Sequence, residues 1–407
     1  MKDTDVYLIG GLRSHIGRKN GIFKAIAPEV LGAALLRRLY QRFPLAKETE
    51  LFLGGNAAGP GGNLTRLTAL SAGLPSAVPA LTIDMQCASA LEALLLAYAQ
   101  IRAGLKDVVI AGGVESASMQ PKKIYQPWDE RYRPDGFYTA QFSPDTDSPR
   151  AMLEGAERTA QVYGVSRAAL DAWAVRSHEK AWRAQELHLL DEVIVPLFGS
   201  TRDESIRPHM NKRLAARMPA LFTPAEVKQL LNENEGRAKK IFSPTLTAAN
   251  ACLTHDGAAY VLLCSGKKLR SCQRAGQAIQ PWGKILGGTE IGVEPRFSPL
   301  GALAAGQALL KKQDLTAEDI DDFEYNEAFA VISALFARIY PKYLDRYLPL
   351  GGALAYGHPY GCSGAVLVLH ALCALKARQG RFALCAIAGA GGTGSALLLE
   401  RIENDEV

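Results

Sequence analysis

One cysteine in this chain of 407 residues is placed to act as a nucleophile. Cys87 opens a long apolar stretch, residues 87–102, that predicts a helix. The unpaired N–H groups and the dipole at a helix start stabilise a thiolate and lower a thiol pKa from roughly 8.5. The same placement sets the sulfur beside the carboxyl edge of a sheet, where α/β folds bind ligands. We therefore predict a reactive thiol at Cys87.

Three more polar side chains lie in segments that the fold can bring to that thiol. His358 lies in a glycine-rich segment, residues 351–361, directly before a second apolar helix. A histidine beside a cysteine generates or stabilises a thiolate. Asn326 supplies an amide that can hold a water or donate to an oxyanion, and the adjacent Glu327 adds an orienting carboxylate. Each residue alone is typical of a turn or of packing; together they predict a Cys–His–Asn site.

The elements that must position these residues occur twice along the chain. Helix, basic turn, apolar strand and paired glycines appear in the first quarter and again in the last, which indicates an internal duplication. Two such halves packed about a twofold axis would bring the two helix starts together. The alternation also predicts a mainly parallel sheet covered by helices on both faces. The predicted strands are residues 6–11, 50–54, 107–113 and 382–388, and the predicted helices are residues 28–40, 87–102 and about 361–378.

The middle of the chain differs in composition. Residues from about 118 to 240 are richer in Lys, Arg, Pro and aromatic residues than the flanking parts. They include a predicted exposed helix at 170–183 and a basic run at 237–240. We interpret this part as an excursion from the first core unit, whose basic residues either meet phosphates or form a solvated surface.

Bulk composition argues against several classes of protein. A hydrophobic content of 48%, a charged content of 21% and a net charge of +5 describe a globular protein and give no case for nucleic-acid binding. The seven cysteines include no Cys-x-x-Cys pair, and Cys252 with His255 lacks a second pair, so no metal site is expected. The free thiols lie in apolar runs, and we find no targeting signal or membrane-length apolar run. We therefore predict a cytoplasmic protein that binds no membrane.

Motifs along nearly the whole chain resemble those of the thiolase family, which makes or cleaves 3-ketoacyl-CoA by Claisen chemistry. The segments around Cys87, Asn326 and His358 carry the resemblance, and the glycine run at residues 386–394 closes it. Together the motifs are highly specific, although no single one is. Further matching segments are residues 13–17 (Arg-Ser-His-Ile-Gly), 73–75, 112–116 (Gly-Gly-Val-Glu-Ser), 171–178, 203–207, 246–250 and 256–259.

The resemblance implies a fold and an assembly. The fold would be α/β with two βαβαβαββ halves packed as a five-layer αβαβα arrangement and an inserted loop domain. The N-terminal core would comprise residues 1–117 and 241–272, the CoA-binding loop domain 118–240 and the C-terminal core 273–407. A homodimer or homotetramer is implied, with a coenzyme A thioester as substrate and no cofactor.

The resemblance also implies catalytic roles. Cys87 would take the acyl group as a thioester, supported by His358. His358, with a water held by Asn326, would form an oxyanion hole for the substrate thioester. Main-chain N–H groups at Cys87 and in the loop of Ala390 and Gly391 would serve the acyl-enzyme carbonyl.

Three further positions match the family's CoA site. Arg207 matches a loop-domain position associated with the nucleotide of CoA. Cys252 belongs to a turn that lies beside the pantetheine arm. Small residues such as Ala248 would leave a narrow tunnel for that arm.

The glycine run departs from the family at one position. Ordinary thiolases place a second cysteine where this chain has Ala388, and that cysteine removes or returns the α-proton. General acid–base catalysis contributes typically ~10² to 10⁴ in rate, so reduced or altered activity is expected. Candidate replacements are Cys362, whose position at the start of the second helix would again favour a thiolate, and Cys385, which a shifted alignment would place in the same role; Cys252 is a third.

The sequence leaves three functions open. The first is a thiolase with an intact Cys–His–Asn set and an altered proton-transfer residue. The second is a ketosynthase-like Claisen enzyme, which generates its carbanion by decarboxylation and needs no second cysteine. The third is a non-catalytic acyl-CoA-binding protein that retains the fold.

Overall fold

One mixed sheet runs through the molecule. The computed structural model describes residues 2–144, 148–231, 243–252 and 254–403, so the basic run at 237–240 lies outside the described residues. The strands are β1 (Val6–Ser14), β2 (Gly17–Arg18), β3 (Leu51–Gly55), β4 (Ala80–Ile83), β5 (Val108–Ser116), β6 (Ile194–Val195), β7 (His255–Ser265), β8 (Gly283–Gly292), β9 (Asp322–Tyr325), β10 (Phe382–Gly389) and β11 (Thr393–Arg401). The helices are α1 (Pro28–Arg42), α2 (Leu64–Ala72), α3 (Ser89–Arg102), α4 (Ala151–Val162), α5 (Arg167–Glu186), α6 (Lys212–Ala216), α7 (Pro224–Leu230), α8 (Gly266–Arg274), α9 (Leu300–Lys312), α10 (Ala330–Ile339), α11 (Ala353–Tyr356) and α12 (Ser363–Arg378).

The order of the strands repeats within the sheet. Along its main path the sheet runs β4-β3-β5-β7-β1-β8-β11-β10-β9, and the two halves meet where β1 pairs with β8. Read outward from that junction, β1-β7-β5-β3 and β8-β11-β10-β9 have the same pair directions: antiparallel, antiparallel, parallel. The repeat supports the internal duplication indicated by the sequence.

The prediction of a mainly parallel sheet is wrong. The long pairings of β7 with β1 and β5, and of β11 with β8 and β10, are antiparallel. A parallel pair needs a crossover connection, whereas a tight turn returns the chain antiparallel. The glycine run between β10 and β11 is such a turn, so it forms a hairpin.

Five layers follow from the packing of helices on the sheet. Helices α3 and α12 pack against each other between the two halves, with α3 against β3 and β5 and α12 against β9 and β10. Their contact is close: a Cβ added at Gly364 would lie 2.3 Å from the Leu91 nitrogen. Helices α1 and α2 cover one outer face, and α9, with α10 packed beside it, covers the other. This arrangement brings the starts of α3 and α12 together at one end of the central layer.

Two expectations about helices are wrong. The sequence was expected to contain no membrane-length apolar run, but the segment Tyr360–Arg378 is long and apolar enough to cross a membrane. Its most apolar stretch is 83% buried inside the protein, as is typical of a core helix. Helix α5, predicted to be exposed, buries one face that includes Leu170, Ala174 and Ala181. It packs against α10 and α11, which lie more than a hundred residues further along the chain.

Candidate active site

Cys87 is buried in a short turn that precedes α3. The turn, Gln86–Ala88, is a 3₁₀ turn, and α3 begins only at Ser89. The cysteine is 8% exposed, and burial, with a contribution from Glu115, raises its pKa to about 12. The prediction of a lowered pKa is therefore wrong, because the loss of hydration outweighs the helix start. A base must take the thiol proton before Cys87 can act as a nucleophile.

His358 is held in one tautomer. Ser363 Oγ donates to the Pro359 carbonyl (2.9 Å) and lies 2.7 Å from His358 Nδ1, so Nδ1–H donates to Ser363. The lone pair of Nε2 then accepts from Asn326 Nδ2 at 3.2 Å. Burial, together with the nearby His255, lowers the pKa of His358 to about 3. The resting ring is neutral, with its basic nitrogen on the side of Asn326.

A second histidine fixes the backbone of the His358 loop. The His358 N–H donates to His255 Nδ1 (3.2 Å), and His255 Nε2 lies 2.6 Å from Ser205 Oγ. Thr254 also forms a parallel bridge with His358. The loop is thereby tied to β7 and to the segment that carries Arg207.

A buried carboxylate joins the two halves beside the site. Glu115, at the end of β5, accepts N–H donors from Gly361 (3.0 Å), Ala57 (3.0 Å) and Ala58 (3.1 Å). Burial outweighs these donors and raises its pKa to about 7. The Gln86–Ala88 turn and the Tyr360–Cys362 turn pack against each other at this point. The structure thus brings the Cys87 turn and the His358 loop together.

Asn326 reaches the site from the end of β9. Its N–H donates to the Ala386 carbonyl on β10 (2.8 Å), which fixes the start of the segment. The adjacent Glu327, predicted as an orienting carboxylate, instead accepts from Ser333 Oγ (2.8 Å) at the start of α10. Burial raises the pKa of Glu327 to about 7. Glu327 therefore supports α10 through Ser333 and also interacts with the backbone of Leu354 in α11, just before the His358 loop.

The glycine turn after β10 lies against the Cys87 turn. A Cβ added at Gly389 would lie 2.8 Å from the Met85 carbonyl, so the end of β10 lies beside the Cys87 segment. The methyl group of Ala388 belongs to the apolar cluster that includes Ala328 and Phe329. Gly391 has a φ of +84° and Gly392 one of +79°, a conformation that favours glycine. Among the described residues, the N–H groups of Ala390 and Gly391 have no acceptor. Both remain available to a ligand.

The three candidate replacement thiols occupy different places. Cys362 and Cys385 are fully buried, and burial raises the pKa of each. The expectation that the helix start favours a thiolate at Cys362 is therefore wrong. Besides burial, the leading charge acting on Cys362 is Glu115, and that on Cys385 is Glu324. Cys252 is half-buried, interacts electrostatically with Cys87 and donates from Sγ to the Ala353 carbonyl (2.9 Å).

Arg207, Ala248 and Cys252 line one small cavity of about 30 Å³. Arg207 and Ala248 are exposed, whereas Cys252 is half-buried. The Cys252 N–H donates to the Ala328 carbonyl (2.8 Å), so this turn is joined to the Asn326 segment. The cavity therefore lies between exposed residues and the turn that is joined to the Asn326 segment.

Sequence motifs do not single out four residues that the structure brings to the site. Glu115 lies within the Gly-Gly-Val-Glu-Ser segment and Ser363 follows the His358 loop. Both could therefore have been predicted from the motifs. His255 drew attention only through its metal-like spacing from Cys252. Tyr360, whose ring packs on His358 at a centroid distance of 4.8 Å, carries no signal beyond its position.

Within residues 2–144, 148–231, 243–252 and 254–403, no group of three or more His, Cys, Asp or Glu side chains stands where it would hold a metal ion.

The duplicated fold and the Cys–His–Asn cluster define a class of protein. The model of the family domain "Thiolase, N-terminal domain" matches residues 6–267, and that of "Thiolase, C-terminal domain" matches residues 279–401. The chain therefore belongs to the thiolase family and is an acyltransferase.

Individual relatives agree over nearly the full chain. Two are named "Putative acetyl-CoA C-acetyltransferase": YhfS of Bacillus subtilis (strain 168), 36% identical over 97% of this chain and 98% of its own length, and VraB of Staphylococcus haemolyticus (strain JCSC1435), 32% identical over 98% and 99%. The crystal structure of the Bacillus anthracis acetyl-CoA acetyltransferase superposes with a TM-score of 0.84 at 29% identity, covering 98% of this chain and 99% of that one.

Proposed function

We propose that this protein is an acyl-CoA C-acyltransferase that makes or cleaves 3-ketoacyl-CoA through an acyl-enzyme on Cys87. The neutral His358 ring supports this proposal most strongly, because its Nε2 is a base. The turn that follows the ring, Tyr360–Cys362, packs on the Gln86–Ala88 turn that carries Cys87. The names of the two relatives favour a short acyl group, so acetoacetyl-CoA is the substrate of choice for testing.

Each residue of the cluster has a task in this reaction. His358 Nε2 exchanges its hydrogen bond from Asn326 Nδ2 for the Cys87 proton as the sulfur attacks the acyl carbonyl, and Nδ1–H remains bonded to Ser363. The Asn326 amide, with a water, and the imidazolium stabilise the oxyanion of the substrate thioester. The acceptor-free N–H groups of Ala390 and Gly391 stabilise the acyl-enzyme carbonyl. Preorganised donors of this kind typically contribute ~10² to 10³ each in rate.

We place the pantetheine arm along this small cavity, which at about 30 Å³ has room for about one water and must widen to admit the arm. Its exposed Arg207 suits a phosphate of the CoA nucleotide, and Ala248 leaves room for a narrow chain. Cys252 lines this cavity on the turn that is joined to the Asn326 segment, toward which the reacting thioester must extend. An Arg207→Ala variant should raise the KM for CoA and leave kcat nearly unchanged, because it removes binding shared by ground state and transition state.

A homodimer or homotetramer is proposed as the working assembly. Edge strand β4 and helix α2 present large apolar side chains to solvent: Leu81 is 46% exposed, Leu67 47% and Leu70 46%. An edge strand with exposed apolar side chains favours association. Light scattering should give at least two chains per particle, and Leu81→Lys should lower that number; a wild-type monomer would contradict the proposal.

One assay tests the function together with the fate of the second acid–base group. We would measure CoA-dependent loss of acetoacetyl-CoA for wild type, Cys87→Ala, Ala388→Cys, Cys362→Ala and Cys385→Ala. Cys87→Ala should abolish turnover, and a large gain in Ala388→Cys would identify position 388 as a vacated acid–base position. Loss confined to Cys362→Ala or Cys385→Ala would assign the role to that thiol. Absence of turnover and of any acyl-enzyme in wild type would leave a CoA-binding protein.

Ala388 favours a second candidate function. A decarboxylating Claisen enzyme forms its carbanion by loss of CO2 from a malonyl thioester, so it needs no acid–base side chain at position 388. Condensation that requires malonyl-CoA, with none from acetyl-CoA alone, would support this reaction over the first.

A further inference from the structure

Tyr360 lies in the site, but neither the fold nor the Cys–His–Asn cluster gives its side chain a role. It begins the Tyr360–Cys362 turn, two residues after His358. Its ring packs edge-on against the His358 ring, at 4.8 Å between centroids and an interplanar angle of 72°. Since the His358 ring is fixed by Ser363 and Asn326, the Tyr360 ring packs against a fixed surface.

The Tyr360 ring lies where the two turns of the site meet. Its turn packs directly on the Gln86–Ala88 turn, and the ring packs against the apolar cluster that contains Cys87. Buried tyrosine hydroxyls normally have hydrogen-bond partners, and Tyr356 donates to the Leu350 carbonyl at 2.7 Å. Among the described residues, the Tyr360 hydroxyl has none. The ring is half-buried, so the hydroxyl remains open to a substrate in the site.

We propose that Tyr360 is the acid that protonates the α-carbon, in place of the side chain that Ala388 cannot supply. This inference rests on the proposed thiolase function. It names a catalytic residue for the step that the methyl group of Ala388 leaves without a proton donor.

In the cleavage direction the step balances as follows. After His358 has taken the thiol proton, the Cys87 thiolate attacks C3 of a 3-ketoacyl-CoA, the C2–C3 bond breaks, and its electron pair forms the enolate of acetyl-CoA. The Tyr360 O–H bond breaks and its proton goes to C2. The phenolate then takes the thiol proton of incoming CoA, and the CoA thiolate attacks the acyl-enzyme and releases Cys87 as thiolate. The proton gained by C2 is thus supplied by CoA.

Burial keeps the Tyr360 phenol protonated, as the cleavage direction requires. It raises the pKa of Tyr360 above its ordinary 10.0, so the hydroxyl keeps its proton at neutral pH. An enolate carbon is a stronger base than a phenolate, so the transfer to C2 is downhill. Condensation runs the same step in reverse and needs the phenolate, so its rate should rise with pH where the rate of cleavage does not.

The test compares two half-reactions of Tyr360→Phe. Acetylation of Cys87 by acetyl-CoA, followed by intact mass, makes no C–C bond and needs no proton at C2. CoA-dependent cleavage of acetoacetyl-CoA needs that proton. Tyr360→Phe should acetylate Cys87 like wild type and cleave about 10²- to 10⁴-fold more slowly. Tyr98→Phe, which loses a hydroxyl later in α3, is the matched control and should resemble wild type in both reactions.

Several results would overturn the assignment. A Tyr360→Phe variant that cleaves acetoacetyl-CoA at the wild-type rate would do so. So would loss of cleavage in Cys252→Ala while Tyr360→Phe retains it. Parallel loss of acetylation and cleavage in Tyr360→Phe would show that the ring shapes the site instead. The double variant Tyr360→Phe, Ala388→Cys should regain cleavage, and failure to regain it in a folded protein would count against the role. A wild type that never acetylates Cys87 would instead defeat the proposed function itself.

Discussion

A buried ion pair between β1 and the segment leading to Arg207 gives a sharp test of how the site is supported. Arg13 is fully buried and donates to both carboxylate oxygens of Asp203 at 2.8 Å. Asp203 Oδ1 also accepts the Ile16 N–H at 2.7 Å. The next residues of this segment include Ser205, which contacts His255 behind the His358 loop. Loss of the pair should therefore disturb both stability and the catalytic loop.

Asp203→Asn keeps the shape of the side chain and removes its charge. The fully buried Arg13 guanidinium then has no counter-charge, and breaking such a pair typically costs about 3–5 kcal/mol. We expect a loss of that size in the free energy of unfolding, measured by urea titration followed by tryptophan fluorescence. Asp345→Asn is the matched control, because Asp345 is 70% exposed in its pair with Arg378 and should cost no more than about 1 kcal/mol.

The effect has a defined pH dependence. Burial alone would raise the pKa of Asp203, but the Arg13 charge outweighs it and holds the pKa below 3.8. The pair therefore contributes its full stability above about pH 4, and that contribution is lost as the pH falls through the folded pKa. Arg13→Met with Asp203→Leu should recover most of the stability. An Asp203→Asn cost no greater than that of Asp345→Asn would refute the reasoning.

Three further predictions follow from the site. Ser363→Ala leaves the buried Nδ1–H of His358 without an acceptor, so Cys87 acylation should slow about 5- to 150-fold, equivalent to about 1–3 kcal/mol; an unchanged stopped-flow rate would contradict this. Because the pKa of Cys87 is about 12, its alkylation by iodoacetamide should rise about tenfold per pH unit between about pH 6 and about pH 9, and a plateau near neutrality would instead indicate a thiolate–imidazolium pair. Burial raises the pKa of Glu327 from 4.5 to about 7, so its contribution to stability is present below pH 4.5 and lost as the pH rises through 7. As the pH rises from 4.5 to 7, the free energy of unfolding of Glu327→Gln, measured by urea titration, should therefore gain about 3 kcal/mol relative to that of wild type. Parallel pH curves for the two proteins would contradict this prediction.

Local pattern was enough to predict the elements that flank the site. Strand β10 and helix α12 end within a residue of the predicted bounds, because apolar runs closed by glycine or by a basic turn mark their limits within the chain itself. The glycine run was recognisable for the same reason, since Gly391 and Gly392 adopt a positive φ that favours glycine.

Features that depend on distant packing were not predictable in the same way. The helix start at Cys87 is visible in the sequence, but its burial depends on packing with the other half of the molecule, and burial reverses the direction of its pKa. Helix α5 has a weakly patterned sequence, and its covering helices come from the C-terminal half. Tyr360 resembles a packing residue in the sequence, and only the packing of two turns from different halves brings its ring to the cluster that contains Cys87.

The acyl-enzyme itself is the most direct test of the account. Wild-type protein mixed with acetyl-CoA should gain the mass of one acetyl group, located on the Cys87 peptide and removed by added CoA. Cys87→Ala should gain none, and Cys252→Ala should still be labelled at Cys87. No adduct in folded wild type, or an adduct on any other residue, would contradict the central claim that Cys87 carries the acyl group.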